Sequence, residues 1–244
     1  MEQIAPRTAK APKFNGALPG VYLIGAGPGA SDLITVRGSR ILAQADIVFY
    51  DALIDISMLE WCPGTRMVQV GKRCGSHSSS QHFINKQLVD AAGKYSVVVR
   101  LKGGDPMIFG RAQEEIDALE KANVRYEIVP GITTALAASA ELKQPPTTRE
   151  LSRTLTLTTL PGRCAHEDHK TAIYYMARDQ LSEVATTLIA QGYTVDTPVC
   201  LMESVSLPTQ RSFACTLDEL RFGDVHHHFL DKQPVVVMVG EVYR

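Results

Sequence analysis

With 244 residues, 45% apolar and 21% charged, the chain has the size of one large or two small globular α/β domains. A formal net charge of −1 excludes a globally basic nucleic-acid binder but leaves room for a local cationic cleft. No apolar run approaches the roughly 18 residues of a membrane-spanning helix.

From residue 21 onward, short apolar runs alternate with amphipathic segments. VYLIG (21–25) predicts a strand, 36–45 a helix, DIVFY (46–50) a second strand and 67–70 a third. Phe83, Ile84, Leu88 and Val89 fall at helical spacing. SVVVRL (96–101) is nearly all apolar, as befits a parallel strand covered on both faces. A helix over 112–122, a strand at EIVP (127–130) and a helix over 133–142 follow. KQPPTTRELSR (143–153) breaks the rhythm, because adjacent prolines suit neither a helix interior nor a central strand, and it reads as a linker. Beyond it come TLTLTT (154–159), TAIYYM (171–176), a helix over 181–190, PVCLM (198–202), QRSFAC (210–215), a short helix near 217–220 and PVVVMVG (234–240). Some strands of this half are expected to be antiparallel.

The expected architecture is therefore two α/β domains, 20–142 with a mainly parallel sheet and 154–244, enclosing a ligand cleft. Residues 1–19 carry Arg7, Lys10 and Lys13 without a signal-peptide core and read as a flexible tail. Cys62, Cys74, Cys164, Cys200 and Cys215 are odd in number and form no CxxC pair, which fits reduced thiols in a cytoplasmic protein.

Three predicted strands end in loops of small residues. GAGPGASDL (25–33) fits a dinucleotide fingerprint at Gly25, Gly27 and Ala30, but Pro28 removes one backbone donor from the turn. Asp46 stands at the start of the second strand instead of ending it, whereas Asp51 follows it. KGGDP (102–106) lets backbone approach a ligand closely, or is a tight turn with ordinary turn residues. In PGITTALAASA (130–140), Thr133 and Thr134 are placed to cap a helix or to donate to a ligand. CAHEDH (164–169) offers potential metal ligands without a partner set at zinc-site spacing, so no metal is expected.

VYLIGAGPG, VFYDALI, VGKR, VVVRLKGGDPMIFGRAQEE, VPGITTALAASA and IYYM occur in the order and spacing of the tetrapyrrole methyltransferases, which the chain resembles. The likeness is dense over 21–140 and thinner beyond. It implies S-adenosylmethionine bound in a folded shape between two α/β domains of a homodimer, with S-adenosylhomocysteine as product. The activity implied is methylation of uroporphyrinogen III at two ring carbons to give precorrin-2, the branch point toward sirohaem, cobalamin and haem d1. Cofactor contacts carried over by motif fall on Pro28, Gly103, Gly104, Asp105, Ile108, Thr133, Thr134 and Met176. A proton acceptor and donor fall on Asp51 and Lys72. Arg111 and Glu114 match residues tied to catalysis and substrate, and Arg149 matches a substrate-binding arginine.

The sequence departs from the family pattern at Ala30, at Ala112–Gln113, at Thr148 and at TTLP (158–161). The last two lie at the expected domain junction and bear on substrate identity and activity more than on the cofactor. Alternatives are a different precorrin or acceptor, a nicotinamide-dependent oxidoreductase using the first glycine loop, and a catalytically silent cofactor-binding relative.

Overall fold

A computed structural model describes residues 16–70, 81–160, 170–222, 225–229 and 233–244. Lys72 and CAHEDH lie outside the described residues. The strands form two five-stranded sheets. The first contains β1 (Gly20–Gly25), β2 (Ile47–Tyr50), β3 (Arg66–Gln69), β4 (Val97–Lys102) and β5 (Tyr126–Val129). Its order is β3-β2-β4-β1-β5, and every pairing is parallel, as the apolar runs predict.

Helix α1 (Val36–Leu42) links β1 to β2 and packs on one face of this sheet. Helices α2 (Gln81–Ala92) and α3 (Ala112–Lys121) cover the other. Right-handed crossovers put helices on opposite faces when the chain moves along the sheet in opposite directions. That reversal falls between β1 and β4, so the crevice at their carboxyl ends is the topological switch point, where open α/β sheets bind ligands.

Strand alternation then decides which side chains face which helices. Along β4, Val97, Val99 and Leu101 join the α1 face, and Val98 joins the α2–α3 face. With a period of two, Arg100 and Lys102 share the face of Val98, and all six residues of the strand are buried. In β2, Ile47 and Phe49 face α2 and α3, and Asp51 stands two residues further on. Three charged side chains thus converge on one buried face at its carboxyl end.

The second sheet contains β6 (Thr154–Thr158), β7 (Lys170–Tyr174), β8 (Pro198–Glu203), β9 (Arg211–Thr216) and β10 (Val235–Val239). Its order is β6-β7-β10-β8-β9, with β6 and β7 parallel and the remaining pairs antiparallel. Helices α5 (Leu181–Ala190) and α6 (Leu217–Phe222) cover one face. The other face receives α4 (Thr134–Leu142), whose Ala135, Ala137 and Ala138 cluster with Ile173, Met202, Val236 and Met238. Sequence rhythm groups α4 with the first sheet, yet its small residues bury it against the second. The segment that leaves β5 therefore ties one sheet to the other. No helix among the described residues is long and apolar enough to cross a membrane.

Candidate active site

The switch point is lined by backbone. Gly27 and Gly104 form an antiparallel bridge, with Gly104 N–H donating to Gly27 O at 2.7 Å and Gly27 N–H to Gly104 O at 3.2 Å. Their φ angles of +83° and +66° are conformations that glycine adopts without strain. A Cβ on Gly25 would lie 2.6 Å from the Gly131 backbone, and one on Gly131 would lie 2.3 Å from Gly104 O. The ends of β1, β4 and β5 therefore stack main chain on main chain. Gly103 points the other way: a Cβ there would meet nothing within 4 Å. This is an open cradle edged by peptide groups, which fits a ligand held by backbone.

Asp105 fastens the cradle. Its Oδ2 accepts from Gly131 N–H at 2.9 Å and its Oδ1 from Met107 N–H at 2.8 Å. Both oxygens serve the protein's own backbone, so the acid shapes the site before any ribose or amino group reaches its remaining lone pairs. Asp105→Ala strands the part-buried Gly131 N–H, which costs about 1–3 kcal/mol when left unpaired, and leaves the exposed Met107 N–H to water. The expected result is a lower Tm together with at least tenfold weaker S-adenosylhomocysteine binding in calorimetry. Asp105→Asn, which keeps one acceptor, should lose less. Unchanged affinity in Asp105→Ala would remove the acid from the site.

The loop after Asp105 is bent by left-handed residues, Phe109 at φ +51° and Arg111 at φ +54°. Ile108 N–H donates to Asp105 O at 3.2 Å, and the Phe109 ring packs on Tyr175 with centroids 5.1 Å apart. Thr133 stands at the N-cap position of α4 but makes no capping bond with its own side chain. Instead, its hydroxyl and that of Tyr175 form a hydrogen bond of 2.7 Å, and the Tyr175 oxygen accepts from Ala135 N–H at 3.2 Å. Tyr175, arriving from the second sheet, supplies the cap, and burial pushes its hydroxyl pKa up. Thr134 opens α4 beside it. Met176 follows at φ +55° and is 68% exposed, which ends β7 at Tyr174 and rules out a core methionine.

Pro28 is half-buried in a loop held by the second half: Ala30 N–H donates to Ser206 Oγ at 2.9 Å. A Cβ on Gly29 would lie 2.7 Å from Val205 O. Helix α1 does not begin at this loop. A 3-10 turn at Ser31–Leu33 intervenes, and Thr35 caps α1 through Gly38 N–H. A dinucleotide fingerprint needs its glycines at the helix N-terminus, and the sheet order also differs from that of the dinucleotide fold. The nicotinamide alternative therefore fails on geometry.

Beside the cradle lies a buried charge network. Asp51 Oδ1 pairs with Arg100 Nη2 at 2.5 Å, and Arg100 Nε pairs with Glu115 Oε1 at 3.0 Å. Glu115 Oε2 takes Lys102 Nζ at 3.0 Å, and Gln81 Nε2 also donates to Glu115 Oε1 at 3.2 Å. Burial works against the Arg100 charge, but Asp51 and Glu115 outweigh it and hold the guanidinium above its ordinary pKa. Burial, reinforced by the neighbouring Arg100 charge, pushes the Lys102 ammonium down despite Glu115. Asp51 is not a helix cap; the 3-10 helix Ile56–Trp61 is capped by Asp55.

Arg111 and Glu114 sit at the outer lip, joined in a two-pronged exposed pair at 2.7 and 2.9 Å. Arg149 is exposed elsewhere, in a cavity of about 530 Å³ lined by Thr147, Thr148, Arg149, Ser152 and Arg153. Contacts bring Gly103, Gly104, Asp105 and Thr133 together at the ends of β1, β4 and β5, with Pro28, Ile108, Thr134 and Met176 close along the chain and Asp51 at the adjoining strand end. Arg149 stands in the linker. Arg100, Glu115, Tyr175 and Ser206 were not singled out in the sequence.

The model of the Tetrapyrrole (Corrin/Porphyrin) Methylases matches residues 20–221. The chain belongs to this family. A uroporphyrinogen-III C-methyltransferase of Pseudomonas aeruginosa is 40% identical over 232 residues, covering 92% of this methylase and 94% of the relative. The solved uroporphyrin-III C-methyltransferase of Thermus thermophilus complexed with S-adenosylhomocysteine superposes with a TM-score of 0.76 at 31% identity, covering 92% and 93% of the two chains. A cobalt precorrin-4 methyltransferase gives a TM-score of 0.79 at 28% identity, covering 92% and 95%. At its altered junction this methylase keeps local order: Tyr175 N–H donates to Thr158 O at 2.9 Å, and Thr148 pairs with Ser152.

Proposed function

We propose that this methylase transfers methyl groups from S-adenosylmethionine to two ring carbons of uroporphyrinogen III, giving precorrin-2. The observation that carries the reading is the open peptide cradle at Gly103–Gly104, in a chain 40% identical to a uroporphyrinogen-III C-methyltransferase. The cofactor, when bound, supplies an electrophilic methyl group on a positively charged sulfur. A rigid carboxylate clamp on that charge would favour the ground state, because the charge is lost on transfer. Peptide groups of Gly103 and Gly104, with Thr133, Thr134 and Met176 around them, hold the donor without that penalty.

The acceptor is an electron-rich ring carbon, so no side chain needs to act as a covalent nucleophile. Alignment by the cradle and the substrate contacts provides the main rate gain, for which orientation contributes about 7–11 kcal/mol. Asp51 accepts the proton that leaves the methylated ring, with Lys72 as donor. Arg111 and Arg149 meet the substrate's carboxylates; a planar guanidinium engages a carboxylate through two hydrogen bonds. Glu114 holds Arg111 extended until substrate competes for it. The enzyme acts as a cytoplasmic homodimer of two-domain subunits.

Calorimetry should show S-adenosylhomocysteine binding and no NADH binding. An anaerobic assay with uroporphyrinogen III should then yield a product carrying two added methyl groups. Cofactor binding with turnover only of an already methylated precorrin would favour the second reading, to which the cobalt precorrin-4 methyltransferase likeness points. Absence of S-adenosylhomocysteine binding would overturn both.

A further inference from the structure

The Arg100–Glu115–Lys102 network is buried, ordered and unused by the chemistry above. Every nitrogen of the Arg100 guanidinium has a partner: Nη2 on Asp51, Nε on Glu115, and Nη1 on Leu101 O at 3.1 Å. The group is therefore fixed in plane and in rotation. Glu115 is fully buried and receives donors from Arg100, Lys102 and Gln81, which come from β4 and α2. Gln81 also donates to Asn85, which in turn donates to Glu114 O at 2.8 Å and fastens α2 to the first turn of α3. Asp51, by contrast, is 30% exposed on its side chain and stands in the turn after β2. Its Oδ2 makes no hydrogen bond among the described residues.

A lone carboxylate in a turn rotates about two side-chain bonds. One oxygen held by an immobile guanidinium narrows the directions in which the other can point. We propose that Glu115 is a positioning residue that acts through Arg100, orienting Asp51 so that its second oxygen faces the reacting macrocycle. The inference rests on the reading of Asp51 as proton acceptor. Glu115 touches neither substrate nor cofactor; it acts from behind β4, through one rigid side chain. Neutralising buried charge is the competing explanation of the network, and that explanation predicts lost stability without a specific effect on turnover.

The test is a double-mutant cycle in anaerobic single-turnover and steady-state assays with uroporphyrinogen III. Glu115→Gln should lower kcat by about 10²-fold, the scale of a misplaced reacting group. Its KM for substrate and its S-adenosylhomocysteine Kd should stay within about twofold, since the cradle is untouched. In an Asp51→Asn background the same change should have no further effect, because residues that act as a unit are not additive. Should Glu115→Gln not yield folded protein, Arg100→Lys takes its place in the cycle, keeping the charge and removing the planar fork. Equal fold-losses from Glu115→Gln in both backgrounds, with Asp51→Asn itself strongly slowed but measurable, would overturn the positioning role and leave the acceptor role standing. Normal turnover by Asp51→Asn would overturn both.

Discussion

Gly131→Ala should abolish measurable S-adenosylhomocysteine binding while Gly103→Ala folds normally and binds weakly. The two substitutions add the same atom on opposite sides of the cradle. At Gly131 the new carbon would lie 2.3 Å from Gly104 O and 2.8 Å from Gly25 Cα. Both obstacles are main chain at the ends of central strands, so no flexible side chain can yield. The loops must separate, which breaks the Asp105–Gly131 bond and disturbs the Gly27–Gly104 bridge. Overpacking of this kind typically costs about 1–3 kcal/mol, so Tm should fall. Loss of the preformed surface should weaken binding by at least about 100-fold, or about 2.8 kcal/mol. At Gly103 the added carbon meets nothing in the free protein, so Tm should not change. It would then occupy the space proposed for the donor, and affinity alone should fall. Wild-type affinity in both variants would mean that the cofactor lies elsewhere.

Asp51→Asn should lower kcat by about 10²–10⁴-fold, the range contributed by a positioned acid or base. Its fold should survive, because an amide oxygen still accepts from Arg100, and Arg100 keeps Glu115 and Leu101 O. S-adenosylhomocysteine affinity should stay within about twofold, since the carboxylate pairs with Arg100 and not with the glycine loops. Proton acceptance is what the amide lacks. A variant that retains turnover would remove Asp51 from the chemistry, and one that loses cofactor binding would recast it as a structural residue.

The glycine loops were legible in the sequence because strand ends, glycines and prolines have local physical causes. Helix α5 was legible at both ends for the same reason, its apolar positions recurring at helical spacing. The first glycine loop was ambiguous: the sequence does not show that Thr35, and not the glycine turn, caps α1. The IYYM strand was overextended, since Met176 turns into the left-handed region where Tyr175 seats against α4. That contact joins residues about forty positions apart, and no local pattern announces it.

Glu115 is the more instructive omission. Adjacent Glu114 and Glu115 look equivalent in the sequence, and the resemblance directs attention to Glu114. Helical phase separates them: Ala112, Ile116 and Leu119 mark the buried stripe, and Glu115 falls on it, so Glu114 is left at the lip. Arg100 carried a similar signal, as a charge inside an otherwise apolar central strand. A buried cation of that kind requires a carboxylate partner, and only the tertiary structure says which. The fate of α4 was beyond sequence rhythm, because small residues suit close packing against either sheet.

The most direct test of the central claim is a crystal structure of the protein in complex with S-adenosylhomocysteine. The bent ligand should lie in the switch-point crevice, its sulfur and ribose against the Gly103–Gly104 peptide groups, with Thr133 and Met176 beside it. Density for the ligand away from those glycines, or side chains filling the space in front of Gly103, would contradict it.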